Sequence, residues 1–418
     1  MVLGSGKPGW YRRQSVRAKA LMGVGTALGV LGMGLLTAGP ALADPGNTYI
    51  GGGSDTTQSI IDAFATTTGG LVASYDAVDP VNGTVHDMVN AFQNSGTTET
   101  LQSFLRPNGS GDGLTALRYS HATNLAALTP YGGGTSAQMP AAGSIAFARS
   151  SSGPGSNQSN TGQYVYIPFA YDDVAVSTGP ATLITNASDF TFTDLSNMYK
   201  SCSQVTENGV TYWPFQPGVT QPAGTTRIDL YIPQAGSGSR NFWLSTLTGS
   251  TTPAACVFDT EQQGPNVGHS LEENHGQIDT DDPNAIFPFS VGQWLFQQAH
   301  AGTSTDVRAG AVLNAINTAA TPPGGTSISP FGNPPTDTTM NTTTFPIFRE
   351  LYNVFITSQV TGASADPNLV RMFVGSTSAL CQASGIIRSF GFVSLASSTQ
   401  APDPCGSTAT SLMAFANG

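Results

Sequence analysis

Charged side chains are scarce, at 10% of 418 residues, and only four cysteines and five histidines are present. Beyond Leu36 there is no long uncharged apolar run, which excludes a multi-span membrane protein. No C-x-x-C or H-E-x-x-H occurs, so the usual zinc spacings are missing. His269 and His275, with Glu272 and Glu273 between them, read as a polar loop. Asp279-Thr-Asp281-Asp282-Pro-Asn284 lacks the glycine and the distal glutamate of a calcium loop. No G-x-S-x-G elbow occurs, which removes the usual signature of an α/β-hydrolase. No cofactor is expected.

Positive charge is also in short supply. The chain has 15 basic against 26 acidic side chains, a formal charge of −11, and its only lysine after Lys19 is Lys200. Such a surface repels phosphate backbones and anionic bilayers, so neither nucleic acid nor a membrane surface is expected as a partner. Glycine is abundant instead, with 49 residues alongside 27 prolines, and shows no collagen-like period. With 21 Phe and 12 Tyr to fill cores, this composition describes a folded chain rich in turns and loops.

The first 43 residues carry Lys7, Arg12, Arg13, Arg17 and Lys19 and no acid; an uncharged run from Ala20 to Leu36 and Ala41-Leu42-Ala43 follow. This order of basic, apolar and small-residue segments is that of a secretory signal peptide over residues 1–43. No cysteine follows it for lipid attachment, so a secreted, extracellular protein without stable membrane insertion is expected. An oxidising destination suits two disulfides among Cys202, Cys256, Cys381 and Cys405. Three connectivities are open, and proximity in the chain favours Cys202–Cys256 with Cys381–Cys405.

Short apolar runs alternate with amphipathic stretches, the pattern of an α/β architecture. Strands are expected at Thr48–Gly51, Ser144–Ala148, Tyr164–Ser177, Arg227–Ile232 and Ala285–Phe289. Helices are expected at Thr56–Ala65, Gly113–Ser120, Thr193–Tyr199, Gly238–Leu247 and Val291–His300. Pro/Gly/Ser/Thr clusters at Gly153–Gly162, Gly218–Gly224 and Thr321–Thr344 read as loops.

Four junctions concentrate Gly, Ser and Thr: Gly51–Thr57, Asn108–Gly113, Ala148–Ser152 and Ala235–Arg240. At least three of them open a helix, where unpaired N–H groups and a partial positive charge favour an anion. Serine and threonine hydroxyls add donors, and Arg149 and Arg240 supply fixed positive forks. The candidate ligand-binding residues are Ser54, Asp55, Thr56, Thr57, Ser110, Arg149, Ser150, Ser151, Ser237, Gly238, Ser239 and Arg240. Taken together they describe a site for a small dehydrated oxyanion. Taken singly, each junction is an ordinary turn, and Asp55 equally suits the N-cap of the helix after it.

In this order the junctions resemble those of the phosphate-binding type of bacterial extracellular solute-binding protein, with its class II periplasmic-binding fold. The similar stretches are Gly51–Thr57, Gly109–Gly113, Ile145–Ser151, the crossing Ile167-Pro-Phe-Ala-Tyr-Asp-Asp-Val-Ala175 and Gly236-Ser-Gly-Ser239, with a return crossing at Asn284–Ser290. The resemblance covers about residues 48–300. It implies two lobes joined by hinge strands, the first from 44–170 and 286–418, the second from 171–285. It further implies phosphate as the ligand, an ABC permease as a partner, and no catalysis. Two departures stand out: Ser151 replaces the aspartate that accepts the proton of hydrogen phosphate in that family, and Pro233 stands where an arginine is common. On the resemblance, Arg149 or Arg240 would restore the charge and Asp55 the acceptor. The alternatives are an interaction protein that keeps the fold without a tight ligand, and a secreted phosphatase, whose site also needs Arg and Ser near phosphate. Separately, His121, His269 or His300 could pair with a serine in space.

Overall fold

The computed structural model describes residues 49–94, 99–122, 124–318, 325–332, 339–341, 343–397 and 402–415. The expected signal peptide, residue 48 and much of the Thr321–Thr344 loop lie outside the described residues. The chain opens with β1 (Tyr49–Gly53), a short 3-10 turn, α1 (Gln58–Thr67) and β2 (Val72–Ser74). A hairpin that sequence reading did not anticipate follows, β3 (Met88–Asn94) with β4 (Glu99–Leu105), and then α2 (Ser110–His121) and β5 (Phe147–Ser150). The long β6 (Tyr164–Thr178) is buried along its whole length. After it come α3 (Phe192–Ser201), β7 (Val205–Glu207), β8 (Val210–Pro214), β9 (Thr226–Tyr231), α4 (Gly238–Thr248) and β10 (Val257–Phe258). Next are α5 (Gln277–Asp281), β11 (Ala285–Ser290), α6 (Val291–Ala299) and the short β12 (Val312–Leu313), β13 (Ile316–Asn317) and β14 (Ser327–Ile328). The chain then forms β15 (Phe348–Ile356), four short helices α7 (Thr357–Val360), α8 (Pro367–Phe373), α9 (Ala379–Gln382) and α10 (Ser384–Ser389), and the two-residue strands β16 (Val393–Ser394) and β17 (Met413–Ala414), both antiparallel to β6.

The α/β class read from the sequence is the one observed. One large mixed sheet runs in the order β2-β1-β5-β15-β6-β11-β9-β8-β7. β1 pairs in parallel with β2 and β5, whereas β15 lies antiparallel to both β5 and β6. β11 turns the sheet into its second half, antiparallel to β6 and parallel to β9. The register of β15 on β6 sets Arg349 opposite Asp172, two opposite charges at directly facing positions. β6 is buried throughout and β15 is buried between its two ends, so this register is fixed by the surrounding core.

Local signals agree with the elements they predicted. Thr191 caps α3, accepting from the Asp194 N–H at 3.1 Å while the Asp194 carboxylate accepts from the Thr191 N–H at 2.9 Å. This reciprocal box starts the helix one residue before the expected Thr193. Cys202–Cys256 and Cys381–Cys405 are joined, the pairing that proximity favoured. No helix among the described residues is long and apolar enough to cross a membrane.

Candidate functional site

All four Gly/Ser junctions meet at one place. Gly53 leads from β1 into the Asp55–Thr57 turn, and its neighbour Ser54 donates its N–H to the Arg149 carbonyl of the third junction at 3.2 Å. The N–H of Gly111, in the first turn of α2, donates to the Gly236 carbonyl at 2.9 Å, so backbone meets backbone across the two halves of the sheet. Glycine is required for that approach. Gly109 has φ +97°, and a Cβ there would run into the Gly236 carbonyl. Gly238 is equally confined, since a Cβ would run into the hydroxyls of Ser110 and Ser151. Gly238→Ala is therefore expected to destabilise the chain by about 1–3 kcal/mol through overpacking, read by denaturant unfolding.

The centre of this convergence holds a side chain that sequence reading placed in a polar loop. Glu273 is 1% exposed, and its carboxylate accepts hydrogen bonds from four hydroxyls. Thr56 and Ser151 donate to Oε1, Ser151 at 3.2 Å. Ser239 also donates to Oε1, at 2.7 Å, and Ser237 donates to Oε2 at 2.8 Å. Ser237 is the N-cap of α4, so the carboxylate also sits at the positive end of an eleven-residue helix.

Three of the four hydroxyl hydrogens are directed by a donor behind them. Ser237 Oγ already accepts the Arg240 N–H at 3.1 Å, so its proton is free to point at Glu273. Arg349, which can only donate, gives Nη1–H to Ser239 Oγ at 2.7 Å and lies 3.4 Å from Thr56 Oγ1 through Nη2. Asn274 donates Nδ2–H to the same Thr56 oxygen at 3.2 Å. Thr56, Ser237 and Ser239 are thus polarised from behind to act as donors toward the centre. The cradle matches a group that only accepts, such as a carboxylate or a fully deprotonated face of a tetrahedral oxyanion.

Arg349 is the positive charge nearest this network. It is 4% exposed and forms a two-pronged pair with Asp172, at 3.0 Å through Nε and 2.8 Å through Nη2. Asp172 in turn accepts from Ser290 Oγ at 3.0 Å and the Gly292 N–H at 3.1 Å. Burial pushes the Asp172 carboxyl upward, and the Arg349 charge draws it back. Asp55 stands beside the cradle and accepts from Asn274 Nδ2 at 2.9 Å. Burial, then the Glu273 charge, raise the Asp55 carboxyl to about 7, so it exchanges a proton near neutral pH.

Of the residues expected to bind a ligand, Thr56, Ser151, Ser237 and Ser239 line the centre directly. Ser110 supports it, accepting the Ser151 N–H at 3.0 Å, and Gly238 packs against both. Ser54 and Thr57 are buried, with hydroxyls that have no hydrogen-bond partner. Asp55 takes no N-cap role, since Ser54 holds that position for the 3-10 turn and Thr57 for α1. Ser150 closes a local turn onto the Ser152 carbonyl. The two arginines do not supply a fork to this centre. Arg149 is fully buried and gives its protons to the carbonyls of Gly53, Ser54 and Tyr75 and to Ser74 Oγ, bracing the first junction. Arg240 pairs with Asp259 and the Pro233 carbonyl.

Of the three histidines that a serine could pair with, two are occupied by backbone carbonyls. His121 bonds the Ile145 carbonyl at 2.8 Å, His300 the Phe296 carbonyl at 2.8 Å, and His269 is exposed.

No family model matches the chain, and no curated protein matches it in sequence. Among solved structures it is similar to an ABC-type phosphate transport receptor from Vibrio cholerae, with TM-score 0.42 and 12% identity over 83% of this chain and 99% of that one. It is also similar to a phosphate binding protein from Stenotrophomonas maltophilia, at TM-score 0.37 and 13% identity over 88% and 100% of the two chains. A human phosphate binding apolipoprotein gives TM-score 0.40 and 12% identity over 82% and 90%.

Proposed function

We propose that the chain is a secreted, non-catalytic solute-binding protein that captures a small inorganic oxyanion, with phosphate as the favoured ligand and uptake through a permease as its use. The observation that supports this reading most is the convergence of four donor hydroxyls, Thr56, Ser151, Ser237 and Ser239, on one buried anionic group. Two come from the junctions near β1 and β5, and two from the start of α4. A ligand held this way joins two lobes, 44–170 with 286–418 and 171–285, and favours their closure by its contacts to both.

Discrimination follows from the proton. The polarised hydroxyls offer donors only, so a sulfate is fully satisfied by them, whereas hydrogen phosphate needs one acceptor. Asp55, next in the chain to Thr56 and raised to about 7 by burial and the Glu273 charge, is the carboxylate we assign as that acceptor. A buried acceptor left without its proton costs about 1–3 kcal/mol, and more when charged, which separates the two anions.

Calorimetric titration near neutral pH tests this reading. Phosphate is expected to bind one-to-one and sulfate more weakly, with the affinity for phosphate falling about tenfold or more in Ser237→Ala or Ser239→Ala. Equal affinity for the two anions would remove Asp55 as the selector. Absence of binding in the folded protein and in a folded Glu273→Ala variant would overturn the reading.

A further inference from the structure

The place where a free oxyanion would lie is taken by the chain itself. Glu273 belongs to an 18-residue stretch, 259–276, that has no helix or strand and connects β10 to α5. Structureless connections of this length are uncommon and usually carry a function. This one is laced into the interior residue by residue. The Leu271 carbonyl accepts from the Gln234 N–H at 2.7 Å. Glu272 Oε2 accepts from Asn108 Nδ2 at 2.9 Å and from Gln234 Nε2 at 3.1 Å. Asn274, in the left-handed region at φ 60°, donates to Asp55 and Thr56, accepts the Ser290 N–H at 3.4 Å, and gives its carbonyl to Gln297 Nε2 at 3.0 Å. Between them, Glu273 receives all four cradle hydroxyls.

The geometry points to Glu273 as an internal ligand, a carboxylate that fills the oxyanion cradle in the resting protein and must leave before free anion can enter; this rests on the oxyanion reading above. Its partners are the very donors an incoming oxyanion needs, and two bound anions would share one set of protons in a buried space. The two cannot occupy the cradle together. A tethered carboxylate competes at an effective concentration on the order of millimolar, with no ligand added. If the filled cradle is favoured about ten to one over the vacated one, the apparent affinity for free anion drops about tenfold. Glu273 thereby sets the concentration at which the protein responds, and it ties the Thr56 and Ser151 loops to the start of α4 when no solute is bound.

Three proteins test this: wild type, Glu273→Ala, and Glu273→Gln, which keeps the shape of the side chain and removes its charge. Phosphate affinity is read by calorimetry. Thermal melting, with and without sodium formate or sodium chloride at matched ionic strength, reads whether a free carboxylate replaces the lost one. Both variants are expected to bind phosphate about tenfold or more tightly than wild type. Glu273→Ala is expected to melt lower than wild type in chloride and to regain stability in formate, which wild type does not. Equal phosphate affinity in wild type and both variants would overturn the internal ligand and leave the oxyanion reading intact. Formate rescue with no phosphate binding by any of the three would keep Glu273 as the cradle's occupant and remove phosphate as the solute. Neither rescue nor binding, in variants shown to be folded, would overturn both.

Discussion

Replacing Arg349 by methionine is expected to destabilise the folded chain by about 3–5 kcal/mol, the range for breaking a buried ion pair from one side. Arg349 and Asp172 are 4% and 0% exposed, and the pair lies at facing positions of β15 and β6 in the middle of the sheet. Methionine keeps much of the volume but leaves the Asp172 carboxylate with only Ser290 and Gly292 as donors. Two hydroxyls of the cradle lose their polarising partner at the same time, since Arg349 reaches both Ser239 and Thr56. The double variant Arg349→Met with Asp172→Asn removes the stranded charge and should recover part of the loss, while phosphate affinity stays low. Denaturant unfolding of Arg349→Met, Asp172→Asn and the double variant, run as a double-mutant cycle, separates these effects. A single variant within about 1 kcal/mol of wild type would show that the pair carries no such burden.

Stability is expected to fall as pH rises from 5 to 8. Burial is the largest cause of raised carboxyls at Asp55, Glu207, Asp229, Asp279 and Glu350, each to about 7. A carboxyl raised in the folded state binds its proton there more tightly than in the unfolded chain. Its contribution is complete below the ordinary carboxylate range, near pH 4, and is lost as pH climbs through about 7. His121 and His275, both lowered by burial, oppose this between pH 5 and about 7, because the unfolded chain protonates them there and the folded chain does not. Asp87 and Asp306, lowered by hydrogen bonds from Arg106 and Arg308, act only below about pH 4. An excess of one bound proton in the folded state is worth about 1.4 kcal/mol per pH unit. Several such groups acting together are expected to lower the melting temperature by about 5 °C or more between pH 5 and pH 8. Asp55→Asn should flatten part of that slope, because asparagine has no proton to lose. A melting temperature that is level or rises over this interval would contradict the assignment.

The junctions were legible because Gly, Ser and Thr at helix starts leave a mark in sequence, and Thr56, Ser151, Ser237 and Ser239 were all among the residues read from it. The arginines were not, because proximity in the chain says nothing about which way a side chain turns. Arg149 is on β5 next to the cradle loops, yet its guanidinium is consumed by the carbonyls of the first junction. Arg240 follows Ser239 directly, but it reaches Asp259 instead. Glu273 and Arg349 arrive from 34 and 110 residues away from Ser239, in one case through a loop with no periodic pattern. A signal for Arg349 did exist. Arg349-Glu350 interrupts the apolar run from Phe345 to Ile356, just as Asp172-Asp173 interrupts β6, and charges inside buried strands ask for partners. No comparable signal marked Glu273, whose role comes from the path of the 259–276 loop, including the left-handed turn at Asn274.

The most direct test of the cradle is a crystal structure of Glu273→Ala grown with phosphate. One phosphate is expected in the space vacated by the carboxylate, with its oxygens accepting from Thr56, Ser151, Ser237 and Ser239 and its proton directed at Asp55. A folded variant whose four hydroxyls surround only water, with phosphate absent or bound elsewhere, would contradict it.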